Sequence, residues 1–217
     1  YTFIFLSDSV VRFFIFILTI IFLLSVCISL FSTSGDISIM ELLFHSVSIV
    51  TTTGFSIGDS GDWPISIGFL FLLGAFIGAC SGSVGGGIKS WRVLIMINYA
   101  YINLMKLVHP NGVFSLKIGS KTVEEDVASS VWGFFSIYVI SFVILLLAWL
   151  VTGLEFESAF SAIGACLNNL GPGLGDVSQT YESVTPFGKA ILAFAMILGR
   201  LEIFTLLVLF MPIFWDK

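Results

Sequence analysis

Two short polar segments interrupt an otherwise oily chain. They are Thr51-Thr52-Thr53-Gly54-Phe55 and Asn168-Asn169-Leu170-Gly171-Pro172-Gly173. Each follows an apolar stretch too brief to cross a bilayer, and each precedes a long apolar stretch. Polar, glycine-containing backbone at membrane depth survives only where protein buries it or where it lines a watery path. Main-chain carbonyls of Thr-Gly loops can replace the water shell of an alkali cation. The chemistry these residues offer is therefore dehydration and passage of a cation. Thr52, Thr53 and Gly54 supply carbonyls in the first segment, and Asn169, Leu170 and Gly171 in the second. The competing reading is a Thr-rich helix cap in an ordinary turn.

A third segment, Gly82-Ser83-Val84-Gly85-Gly86-Gly87, lies between apolar stretches. Consecutive glycines weaken a helix severely. It resembles a phosphate-binding loop, but Ile88 intrudes before Lys89-Ser90 where G-x-x-x-x-G-K-[ST] requires Lys directly. A small-residue plug below the cation loops fits Gly82, Gly85, Gly86 and Gly87 better; a simple packing kink is the alternative. Arg200 sits inside the last apolar stretch. A charge there costs about 2.5–3.5 kcal/mol on insertion scales, which marks it as functional by default. On a continuous helix Glu202 would lie on another face, so Arg200 must find carbonyls, water or a distant acid. It is expected to face the pore near the Gly loop as a barrier to cations; a structural ion pair between helices is the alternative. His45, alone on an apolar half-helix, reads as hydrogen-bonded packing. His109 in the linker has no obvious partner. No metal-ligand cluster or catalytic triad is visible, so the chain does not read as an enzyme and implies no organic cofactor.

The elements that must position these residues follow from composition. Of 217 residues, 57% are hydrophobic and 11% charged, with mean hydropathy +1.07. Soluble domains carry about 25% charged residues. A net charge of -5 argues against nucleic acid as a partner and leaves membrane lipid as the surroundings. Cys27, Cys80 and Cys166 read as unpaired small hydrophobes. Residues 10–31 form a first span, 39–50 a half-helix, and 65–105 two helical pieces joined by a flexible loop. Pro64 is expected at the first helical position. Residues 106–125 are an aqueous linker. Residues 127–151 span again, 155–167 repeat the half-helix, 175–183 lie in water, and a last span runs from Pro186 to Pro212. The order span, half-helix, loop, span occurs twice. The chain divides into 1–108, a linker 109–125, and 126–217. It begins without Met, which suggests a piece of a longer polypeptide.

Arg12, Lys89, Arg92, Lys106, Lys117, Lys121 and Lys217 fall on one side, which should be cytoplasmic. Asp36, Glu41, Asp59, Asp62, Glu155, Glu157, Asp176 and Glu182 fall on the other, where an acidic mouth would concentrate cations.

The stretches HSVSIVTTTGF, GACSGSVGGGIKSWRVL, LVHPNGVFSLKIG, ACLNNLGPGLG and ILGRLEIFTLLVLFMPIFW resemble the Trk/Ktr/HKT superfamily of potassium transporters, most closely its TrkH type. The resemblance covers nearly the whole chain. It implies an all-α membrane protein built of helix–pore loop–helix repeats, four around one pore, of which this chain holds the third and fourth. It further implies that Thr52, Thr53, Gly54, Asn169, Leu170 and Gly171 form a K+ filter, that Gly82–Gly87 is an intramembrane gate, and that Arg200 lines the pore. The missing N-terminal repeats, a homodimer and a cytoplasmic TrkA-type nucleotide-binding subunit are the partners implied, in a bacterial inner membrane. An ion-coupled secondary transporter and a non-conducting scaffold are the rival functions.

Overall fold

The computed structural model describes residues 8–32, 37–57, 63–80, 82–119, 121–151, 153, 155–178, 180–210 and 212–215. Asp36, Asp59, Asp62 and Lys217, assigned above to the two sides of the membrane, lie outside them, as does Ser81 of the Gly loop.

Helix α1 covers Ser9–Phe31, with the Asp8 carboxylate accepting from the Val10 amide as its N-cap. Its mean hydropathy of 3.0 and 23 residues suit a membrane span. Helix α2, Ile39–Val50, is the first half-helix. Helix α3 runs Ile65–Ile77. Pro64 is its N-cap rather than its first helical residue, with ψ 132° in extended geometry; its carbonyl accepts from Ile67. Helix α4, Ser90–Val108, continues past residue 106. The linker is therefore shorter than its polarity suggests. It carries a two-residue hairpin, β1 Lys117–Ile118 and β2 Lys121–Thr122, and Leu116 is buried against Ile95, Ala128 and Val131.

The second repeat comprises α5, Glu125–Leu150, another helix of spanning length with hydropathy 2.4, and the half-helix α6, Phe156–Leu167. One constant sequence offset carries α2 onto α6 residue for residue. A 3-10 turn, Gly175–Val177, follows, and Val177 is buried. That segment packs back on the protein rather than lying free in water. The last span is not one helix. It breaks into α7 Pro186–Arg200, α8 Ile203–Phe210 and α9 Pro212–Trp215. The break falls at Leu201-Glu202, where Glu202 takes φ +50°. Arg200 and Glu202, on either side of the break, reach different partners.

The two repeats pack differently. Around α2 the core is Ile17, Ile21, Leu42, Val50, Ile67 and Phe71. Around α6 it is larger, drawing Trp149, Ile163, Leu167, Leu192, Ala195 and Ile203 from α5 to α8.

Candidate functional site

Both half-helices end in the same hydrogen-bonded cap. The Thr53 amide donates to Ser48 O at 2.8 Å and the Thr52 amide to Ile49 O at 2.9 Å. One repeat later the Leu170 amide donates to Ala165 O at 2.8 Å and the Asn169 amide to Cys166 O at 3.0 Å. This 6→1 and 5→2 pair is a Schellman cap, which demands a left-handed residue. Thr52 (φ +54°) and Asn169 (φ +53°) fill that position, although neither is glycine. Gly54 (φ +77°) and Gly171 (φ +102°) then turn each chain again. The negative ends of α2 and α6 thus terminate at these loops, where a cation is favoured over an anion.

The two loops meet. A Cβ on Gly54 would stand 1.9 Å from Leu170 O, so the main chains touch with no room for a side chain. Leu170 is buried and Thr53 exposed. The Thr51 and Thr53 hydroxyls are hydrogen-bonded to each other.

The glycine segment seats against both loops. The Gly86 amide donates to Thr52 Oγ1 at 2.9 Å, and a Cβ on Gly86 would fall 1.8 Å from Asn168 O. A Cβ on Gly85 would meet Thr52 Oγ1 at 2.7 Å. The segment is anchored rather than loose. The Ile88 amide donates to Phe76 O and the Ser90 amide to Ala79 O, while Gly87 (φ +79°) packs on Gly78. Its other limb is freer: Gly82 (φ +80°) has open space around it, and Val84 is 73% exposed.

Arg200 reaches this limb. Its Nη1 donates to Val84 O at 2.7 Å, so it finds a carbonyl, as expected for a residue that cannot use Glu202. With the Asn169 side-chain oxygen and nitrogen assigned to suit their neighbours, the nitrogen donates to Met196 O and the oxygen accepts from the Arg200 main-chain N–H. A cavity of 130 Å3 brings Gly85, Gly86, Gly87, Asn169 and Arg200 together. Glu202 turns instead to Lys89 Nζ (3.0 Å) and Arg92 Nη2 (2.7 Å). Arg92 also lies 4.1 Å over the Phe134 ring.

Sequence reasoning missed several residues that hold the loops. Buried Tyr138 donates to Asn168 Oδ1 at 2.6 Å, and Asn168 Nδ2 donates to Gly164 O at 2.8 Å. The Tyr181 hydroxyl donates to Gly171 O at 2.7 Å. Gly199 lets α7 approach the second loop, because a Cβ there would lie 2.0 Å from Leu167 O. A lone tyrosine inside a span was the available signal for Tyr138. His45 is packing, as read: buried, with Nδ1 2.9 Å from Glu41 O and rings of Trp63 and Phe71 beside it.

Comparison with known proteins shows the fold and the family. The family described as TrkH, cation transport protein, matches residues 2–217. The Trk system potassium uptake protein TrkH of Halomonas elongata is 45% identical over 193 residues, covering 88% of this chain and 40% of that protein. The TrkH of Vibrio parahaemolyticus is 44% identical over 214 residues, covering 96% and 44%. The crystal structure of the potassium transporter TrkH from Vibrio parahaemolyticus matches with TM-score 0.88 at 42% identity, covering 98% of this chain and 46% of that one. The chain thus spans less than half the length of the relatives it matches. Those relatives are named as transport proteins, and the apolar spans agree with a bacterial inner-membrane location. With doubled half-helices, touching loops and a family match along nearly its whole length, the chain belongs to the TrkH family of cation transport proteins.

Proposed function

We propose that this chain forms half of a potassium-uptake pore. In this reading K+ passes through carbonyls of Thr52, Thr53 and Gly54 and of Asn169, Leu170 and Gly171. Other repeats of a longer polypeptide supply the rest of the ring. The observation that carries the reading is the contact between two left-handed, glycine-turned loops at the negative ends of two half-helices. Relatives named as potassium uptake proteins support K+ as the cargo.

Gly82–Gly87 is the gate in this reading, and Arg200 its positive bolt. Lys89 and Arg92 outnumber Glu202 in the adjoining ion cluster, which keeps that floor net positive. A positive floor opposes cation passage while the loop stays seated. The driving force is the membrane potential, about 2.3 kcal/mol per charge per 100 mV. A dimer and a nucleotide-sensing cytoplasmic subunit complete the proposed assembly.

The test is K+ flux in proteoliposomes holding the full-length protein. Arg200→Ala should raise K+ flux several-fold at equal protein content, because the Val84 tether and the barrier charge both go. Equal or lower flux removes Arg200 from the gate. A strict need for a Na+ or H+ gradient would favour the ion-coupled transporter instead.

A further inference from the structure

The second loop is anchored on both sides of one short bridge. Before it, the Leu170 amide is held by Ala165 O in the helix cap. After it, the Gly173 amide donates to Val177 O at 3.1 Å and the Leu174 amide to Ser161 Oγ at 2.8 Å. Between these anchors lie Gly171 and Pro172. The proline ring fixes φ on its side of the shared peptide and leaves no N–H there. The glycine side is unconstrained. Gly171 takes φ +102°, and a Cβ placed on it would meet nothing within 4 Å. Among the described residues one hydrogen bond restrains the Gly171 carbonyl, the 2.7 Å bond that it accepts from the Tyr181 hydroxyl.

The first loop is restrained at another point. By the offset that carries Thr52 onto Asn169, Ser48 corresponds to Ala165 and Phe55 to Pro172. Ser48 Oγ donates to Phe55 O at 2.7 Å. Ala165 has no hydroxyl, so the second loop cannot make that tie. Tyr181 ties it instead from a later segment, one residue earlier along the loop. Tyr181 is itself braced on the start of α7: the Val184 amide donates to Tyr181 O at 3.3 Å, and Lys189 Nζ to Glu182 O at 3.2 Å. Tyr181, Gly171 and Gly54 line one cavity beside both loops.

We infer that Tyr181 is a positioning residue for cation selection: its hydroxyl holds the Gly171 carbonyl back, at a radius that suits K+ and is too wide for Na+. The inference rests on the reading of Gly171 as a K+ ligand. A carbonyl oxygen has two lone pairs, so it can accept from Tyr181 and face an ion at once. Na+ is smaller than K+ and Rb+ is larger. A released carbonyl can close on the smaller ion and gains nothing with the larger.

The experiment is competition flux of K+, Na+ and Rb+ in proteoliposomes holding the full-length protein. Tyr181→Phe removes the hydroxyl and keeps the ring. Na+ flux relative to K+ should rise several-fold, while Rb+ flux relative to K+ should not rise. The thermal midpoint should stay near the unmodified value, because the bond is exposed to solvent. An unchanged Na+ to K+ ratio overturns the inference. So does an equal rise for Na+ and Rb+, which marks general loosening. A variant that fails to fold overturns it too, because Tyr181 would then serve stability. Gly171→Ser, measured beside it, separates the two readings. If Gly171→Ser shifts discrimination and Tyr181→Phe does not, the loop selects without Tyr181. If neither shifts it, the reading of Gly171 as a ligand falls as well.

Discussion

The two polar loops share one backbone and differ in what stands behind it. In the first, the left-handed residue is Thr52, and its hydroxyl accepts from the Gly86 amide. In the second it is Asn169, which is tied to the end of α7. The first loop therefore connects to the glycine segment, and the second to the scaffold. Tyr138 and Tyr181 add two further bonds on the second side, at Asn168 and Gly171. The supporting half-helices follow suit. Along α6, residues from Ser158 to Leu167 are buried apart from Phe160, whereas α2 exposes Met40, Leu43 and Val47. A duplicated element keeps one main-chain path in both copies while its side chains bond to different neighbours.

The sharpest way to break this comparison is at the paired glycines. Gly54→Ser places a side chain against Leu170 O and forces a left-handed residue to carry a Cβ. Gly171→Ser meets only the second problem, since its surroundings are open. A left-handed L-residue costs about 1–2 kcal/mol; the clash adds to that only at Gly54. In the full-length protein Gly54→Ser should cost most of the K+/Na+ discrimination and lower the yield of folded protein. Gly171→Ser should cost a several-fold part of the discrimination. Competition flux with both cations reads the order, and the reverse order would refute the asymmetry.

A smaller effect is expected from the supports. Thr52→Val is isosteric but removes the acceptor for Gly86. It should raise basal K+ flux a few-fold, and the unpaired Gly86 amide should lower the thermal midpoint as well. Tyr138→Phe leaves Asn168 Oδ1 without its donor in a buried site, a loss of about 1–3 kcal/mol. It should lower the thermal midpoint while leaving basal flux near the unmodified level. If both variants act alike, the loops are equivalent.

The smallest effect belongs to the ion cluster. Glu202→Gln removes the shared anion of Lys89 and Arg92, but Glu202 is 42% exposed and solvent screens the pairs. The floor becomes more positive, so a modest fall in flux that fades at high salt is the expected result.

Much of this was legible from residue types. Half-helices of 12 residues between longer spans are a length signal, and the loops ending them are a composition signal. That Arg200 needed carbonyls, water or a distant acid was legible because nothing nearby in sequence could serve, and the structure gives it the Val84 carbonyl. Other features were hidden. Thr52 gave no sign of left-handed backbone, because that geometry comes from the cap and not from its own preference, whereas Asn169 is of a type that accepts it readily. The interruption after Arg200 was also invisible. The residues around it are apolar enough for a continuous span, and the contacts that flank the break run to Val84, Lys89 and Arg92, far away in sequence. Pro64 was misplaced by one position for a local reason, its extended ψ.

Two polar contacts tie the glycine segment to its surroundings from opposite limbs: one neutral bond from the Gly86 amide to Thr52 and one charge-assisted bond from Arg200 to Val84 O. Together they are worth about 2–4 kcal/mol. Swinging a two-state population from 1:99 to 99:1 takes about 5.5 kcal/mol. The limb at Val84 is thus fastened by less than such a swing takes, while the limb through Ile88 and Ser90 keeps its own main-chain bonds to α3 and its end.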